Sequence, residues 1–230
     1  MIKKEKLNKY GIELIALDET FVKVKGYKNY FISNYGRLIS QRKNKKSKDI
    51  ELKLINPSVM ADGYLGYTLS KPTRKYKGKY VKDKNGKNKD NRQGTTSHRL
   101  VATMFVEYNP YTEKYDYTLD QLAAHHKDHN RQNNYFKNLM WLANGKRGSR
   151  SDHSFVDSIK NIAIYDEKTA IYHTYKDIER LCKRIDIDIL ELIDILKDTD
   201  TPHIKDGKWE TYKVNDYYVG LEKYKREPKK

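Results

Sequence analysis

Apolar and polar positions alternate over short stretches in the first hundred residues. Residues 21–24, 30–33 and 36–40 read as strands of period two, punctuated by Gly26 and by the Asn34-Tyr35-Gly36 turn, and together they predict an antiparallel meander. Residues 63–69 alternate again. Over 98–106 the apolar spacing lengthens to that of a helix, which Asn109-Pro110 ends. A short apolar strand, 122–126, then runs into two histidines. The polar loop 127–137 and a second strand, 139–143, follow it. After a glycine-bearing link at 144–148, Ser151-Asp152 has the chemistry of a helix N-terminus and leads into a helix at 153–159.

Beyond this point strands are predicted at 161–165 and 170–175, and a helix at 176–185 with Ile178, Leu181, Cys182 and Ile185 on one face. A second helix carries the stripe Ile189, Leu192, Ile193 and Leu196, and 208–214 reads as a closing strand. Strands and helices in separate runs predict an α+β protein assembled from small modules.

Charge sharpens the picture. The 230 residues carry a formal net charge of +16, which excludes an ordinary near-neutral enzyme and points to a polyanionic partner, nucleic acid first. An AT-rich genome also enriches lysine, but such a habit does not segregate. Residues 1–150 hold 32 Lys and Arg against 14 Asp and Glu, whereas 151–230 hold 15 against 17. The densest stretch, 71–92, has ten basic and two acidic residues and reads either as a phosphate-contacting hairpin or loop, or as a solvated insertion. The 20 tyrosines argue against disorder. Cys182 is the single cysteine, so internal disulfides and thiolate zinc sites are excluded. With no apolar run long enough to span a membrane, the expectation is a cytoplasmic protein.

Five of the seven histidines fall between 98 and 153, and His125 and His126 are adjacent. Neighbours on a strand point to opposite faces. At a strand end such a pair can divide two tasks, one imidazole binding a divalent metal while the other takes a proton from water.

The run His125-His126-Lys127-Asp128-His129-Asn130-Arg131-Gln132-Asn133-Asn134, followed by Asn138-Leu139-Met140-Trp141-Leu142, resembles the HNH endonuclease motif of phage and intron homing enzymes. Upstream, Gly26-Tyr27, the stretch 30–40, Asp62-Gly63-Tyr64 and His98-Arg99-Leu100-Val101-Ala102 resemble the modular domain that accompanies such nucleases, with Phe21 where that family usually has Trp. The resemblance implies a ββα-metal core with His125 as a metal ligand, His126 as general base and Asn138 as the brace of the polar loop. Asn133 and Asn134 satisfy loop backbone in this reading. The family's second ligand lies nine residues after the middle Asn, where this chain has Arg147, which cannot bind a metal. Reading 144–149 as an insertion puts His153 in that place, with Asp157 one helical turn on as a further ligand. The family implies Mg²⁺ or a similar ion, and two histidines with a carboxylate also suit Zn²⁺, Mn²⁺ or Ni²⁺.

Residues 160–215 resemble the small helix-turn-helix modules at the C-termini of homing nucleases. Here the second helix carries Asp186, Asp188, Glu191, Asp194 and Asp198, which would repel phosphates, so a packing or protein-contact role stays open beside DNA reading. The expected organisation is an N-terminal DNA-binding module over 1–97, a nuclease core over 98–159 and an accessory module over 160–230. The expected function is site-selective hydrolysis of double-stranded DNA by a monomer. Arg37, Arg42, Lys43, Lys45, Lys46, Arg74, Lys75, Lys77, Lys79 and Arg99 are the candidate nucleic-acid contacts. Two competing readings are a non-catalytic DNA-binding protein derived from such a nuclease and a basic protein that neutralises packaged nucleic acid.

Overall fold

The structure, a computed structural model, describes every residue except 45–48, 72–74, 77–78, 81–91, 109–114, 116, 146–150, 199–202, 207–208 and 224–230. It is a mixed α/β protein with several small antiparallel sheets. The chain divides into two compact units, Met1–Glu107 with Arg131–Met140 and Tyr108–Asn130 with Trp141–Lys230. The boundary therefore passes through the motif at 130/131 and again at 140/141.

The first unit opens with a short helix, α1 (Lys4–Asn8), and the predicted meander β1 (Phe21–Lys23), β2 (Tyr30–Ser33) and β3 (Leu38–Lys43), extended by β4 (Ile50–Ile55). These four strands lie in chain order, with Phe21 opposite Ser33, Tyr30 opposite Ser40 and Leu38 opposite Ile55. Period-two alternation turns Phe21, Ile39 and Leu52 to one side, where they join Leu7 and Ile12 in a core. A second sheet joins β5 (Ser58–Val59), β6 (Leu65–Ser70) and a strand at Arg92–Thr96, and a two-stranded ribbon is made by β7 (Lys75–Tyr76) and β8 (Lys79–Tyr80), so the Arg92–Thr96 strand is β9. Of the basic stretch 71–92, read as a hairpin or loop or as a solvated insertion, the short antiparallel pair β7 and β8 is described. Most of the rest of that stretch lies outside the described residues. The predicted helix is α2 (Ser97–Phe105), burying Leu100, Val101 and Ala102.

In the second unit a capping box at Thr118 and Gln121 leads into β10 (Leu122–His126), which forms a two-stranded sheet with β11 (Leu139–Ala143). The last three residues of β11 belong to this unit. The predicted helix is α3 (Asp152–Ser158), and it runs directly into β12 (Ile159–Asp166). Then come β13 (Ile171–Tyr175), α4 (Ile178–Ile185), α5 (Ile189–Lys197), β14 (His203–Asp206), β15 (Trp209–Val214) and β16 (Tyr217–Lys223). The C-terminal strands form one five-stranded antiparallel sheet in the order β13-β12-β16-β15-β14. The two helices expected there are present as α4 and α5, but they sit in a sheet domain whose central strand, β16, escaped the sequence reading. The polar pair Glu222 and Lys223 and the glycine at 220 blur its alternation. Gly220 is obligatory, since a Cβ there would lie 2.0 Å from the Tyr172 ring, which stacks on Trp209 at 4.2 Å.

Both helices are amphipathic. The α4 helix buries Ile178, Leu181, Cys182 and Ile185 and packs on β12 and β13. The α5 helix buries Leu190, Leu192, Ile193 and Leu196 and packs on β15 and α3. Each fully buried Leu or Ile contributes roughly 1.5–3 kcal/mol. Burial pushes the Cys182 thiol up to about 12, as befits a core residue rather than a reactive one. Among the described residues no helix is long and apolar enough to cross a membrane.

Candidate nuclease site

His125 and His126 end β10, only 4% and 3% exposed. The chain turns at once, with the His129 amide donating to the His126 carbonyl at 3.0 Å and the Asp128 carboxylate accepting the Asn130 amide at 2.9 Å. His129 pays for this turn with a left-handed backbone, φ 57, a conformation in which a non-glycine residue is uncommon. The turn brings its ring edge-on to His125, centroids 5.3 Å apart. The α3 helix delivers His153 to the same ring, 5.4 Å away and also edge-on. His129 keeps contact with solvent, yet its partial withdrawal from water holds its pKa below the ordinary histidine value, against the opposing charges of Asp157 and Asp128. Asp157 thus makes itself felt at His129. Of the residues expected from the sequence, His125 and His153 stand ring to ring, His129 joins them unpredicted, and Asp157 is linked to the group only through its charge at His129. The only sequence signal for His129 is its place four residues after His125 in an otherwise polar loop.

These donors suit a divalent ion in kind. As the rings stand, however, no three His, Cys, Asp or Glu side chains among the described residues are arranged to hold one ion.

Asn138 lies in the first unit, at the end of a 3₁₀ turn, Phe136–Asn138. Its amide donates to the Asn133 carbonyl at 2.8 Å, closing the C-terminal half of the loop. Asn134 is buried and donates to the Gln132 carbonyl. The meander holds this half-loop through its Asn-Tyr-Gly turn. The Phe136 amide donates to the Asn34 carbonyl at 2.9 Å, while the Asn34 side chain is itself fixed by the Thr20 amide and the Asp18 carbonyl. Tyr35 stacks on Tyr135 at 4.5 Å, and the two hydroxyls donate to the two oxygens of Asp18 at 2.6 and 3.1 Å. The Tyr35 hydrogen bond, first among the causes, holds the Asp18 pKa below its ordinary value. Gly36 permits the approach, since a Cβ on it would meet Asn134 at 2.7 Å. Arg131 donates to the Asp62 carbonyl and lies 5.0 Å from the Tyr64 ring, itself 4.7 Å from His98.

The basic candidates divide. Arg37 is paired with the buried Glu19 at 3.0 Å and donates to the Glu13 carbonyl, so its guanidinium is engaged within the fold. Arg42 and Lys43 stand exposed at the end of β3, and Arg99 is half-buried on α2. Lys75 and Lys79 lie on β7 and β8. Lys45, Lys46, Arg74 and Lys77 lie outside the described residues, as does Arg147. In the second unit two ion pairs went unforeseen. Lys127 Nζ meets Glu179 Oε2 at 2.6 Å, and Lys197 Nζ meets Asp152 Oδ1 at 3.2 Å.

No protein-family model and no curated protein matches the chain. Among solved structures, one that concerns DNA binding and cleavage by the HNH homing endonuclease I-HmuI is similar over 77% of this chain and 90% of that one, with 22% identity and a TM-score of 0.34. That likeness is too loose to transfer the role of any residue.

Proposed function

We propose that the protein is a DNA endonuclease that hydrolyses phosphodiester bonds with His126 as general base. The observation that carries this reading is the gathering of His125, His129 and His153 at the end of β10, on the strand whose last residue is His126. In this mechanism the neutral imidazole of His126 accepts a proton from the attacking water, which then displaces the 3′ oxygen. Asn138 holds the half-loop it closes, and the charge of +16 draws duplex DNA to the protein. A divalent ion held by His125 and His153, with His129 or Asp157 completing the set, would polarise the scissile phosphate and stabilise the leaving oxygen.

Nicking of a supercoiled plasmid, with and without a chelator, tests the proposal. Metal-dependent nicking is expected, and its absence at every divalent ion tried would leave the second reading, a non-catalytic DNA-binding protein. That reading draws on the missing ready-made ligand set among the described residues. Reversing the charges of Arg42 and Lys43 checks the DNA face separately. The salt slope of binding should fall by about 0.9 for each phosphate that the variant no longer neutralises.

A further inference from the structure

The acidity of the C-terminal helices has no place in a DNA-reading pair, and the fold gives most of those carboxylates an internal task. The Asp177 side chain caps α4 by accepting the Glu179 amide at 2.9 Å, and Asp188 caps α5 by accepting the amides of Leu190 and Glu191 at 2.9 and 3.2 Å. Asp186 ends α4 in the left-handed conformation, φ 52. Asp194 accepts the Tyr115 hydroxyl at 3.4 Å. The exposed residues of α5 are Glu191, Asp194 and Lys197, and the single cation among them is paired with Asp152.

From this pattern we infer that α4 and α5 are an ionic brace for the candidate nuclease site, with Glu179 and Lys197 as positioning residues. The inference rests on the nuclease reading above. Lys127 follows His126 directly, and its side chain is only 6% exposed, so a cation withdrawn from water is held by the Glu179 carboxylate. The Asp177 cap fixes the Glu179 backbone, so the carboxylate is presented from a rigid point. The second pair repeats the device on another element. Asp152 is fully buried at the first position of α3, directly before His153, and Lys197 is the last residue of α5. An anion at the start of one helix and a cation at the end of the other also suit both helix dipoles. One helical pair thus fixes both elements that carry the histidines. Misplacement of a reacting group by about 1 Å can cost about 100-fold in rate. Such a brace therefore acts on the rate of cleavage and leaves DNA affinity alone.

The test compares the full-length protein with Glu179→Gln, with Lys197→Gln, and with the charge swap Lys127→Glu plus Glu179→Lys. Single-turnover nicking of a supercoiled plasmid gives the rate, titration of the same plasmid gives Kd, and NMR of the histidine ring carbons reports the site directly. Each single variant should nick about 10- to 100-fold more slowly at saturation with Kd unchanged. The swap should recover much of the Glu179→Gln loss. A weaker Kd with the saturated rate unchanged would overturn the inference by placing the helices on DNA, and no change in either quantity overturns it as well. Loss of the cooperative thermal transition in both single variants also overturns it, because the pairs would then hold the fold rather than aim the site. If the wild-type protein does not nick, the nuclease reading fails, and the brace is judged by NMR alone. The His126 signals should then move in Glu179→Gln and return in the swap, and unmoved signals overturn it.

Discussion

The two halves of the motif are anchored by different chemistry. Residues 131–140 are held in the first unit by aromatic stacking and neutral or singly charged hydrogen bonds, centred on Tyr35, Tyr135, Asp18 and Asn34. The histidine-bearing elements of the second unit are held by ion pairs, Lys127 with Glu179 and Lys197 with Asp152. Stacked rings lose little to salt or to moderate pH change. An ion pair one partner of which is buried is costly to break and responds to both. The contrast shows that a short polar motif can be fixed by whatever the neighbouring sequence offers, provided that each segment meets a rigid partner.

The largest expected effect leaves both anchorages intact. His126→Ala should cut nicking by about 10²- to 10⁴-fold while DNA affinity stays as in the wild type, and full activity would remove the general base from the mechanism. Next come the rings around His125. His153→Ala and His129→Ala should each weaken divalent-ion binding in calorimetric titration by about 10- to 100-fold, the usual range for residues supporting a metal site, and added cation should restore part of their activity. An unaltered titration in His129→Ala would leave the third place to Asp157. Within the first unit, Tyr135→Phe should cost about 1 kcal/mol by removing the hydrogen bond to Asp18. Tyr135→Ala should cost about 1–2 kcal/mol more by removing the stack as well. Equal destabilisation of the two variants in chemical denaturation would mean that stacking adds nothing.

The smallest effects separate the two anchorages by solution conditions. The Asp18 pKa is depressed in the folded state, so its contribution to stability is full above the ordinary value of 3.8 and is lost only as pH falls through the lowered one. Thermal melts should therefore show this loss below 3.8 in the wild type and not in Asp18→Asn. Raising the salt from about 0.05 M to about 0.5 M should weaken the partly exposed Lys197–Asp152 pair and leave the tyrosine stack unchanged. The Asp152→Asn variant should accordingly be the less salt-sensitive protein.

Much of this was legible in the residues themselves. Short apolar, β-prone runs named β2 and β10, helical spacing named α2 and α4, and Ser151-Asp152 marked the start of α3, because short-range periodicity and capping depend on neighbours in the chain. The spacing of His125, His126 and Asn138 drew attention to one segment, and His153, reached only by reading 144–149 as an insertion, stands edge-on to the His125 ring. The sequence could not give β16 its central place, since strand order is settled by long-range pairing, and its glycine and charged residues hide the pattern. Nor could it assign the acidic helices. Asp177, Asp186 and Asp188 look like charges aimed outward until the fold shows Asp177 and Asp188 capping the starts of helices and Asp186 ending one. Lys127 and Glu179 lie 52 positions apart, so no local rule pairs them. His129 reads as one more polar loop residue until the left-handed turn brings it to His125. The sequence by itself determined the elements and the chemistry available to them. Only the tertiary structure decided which charge meets which, because that depends on distances set by every other contact in the fold.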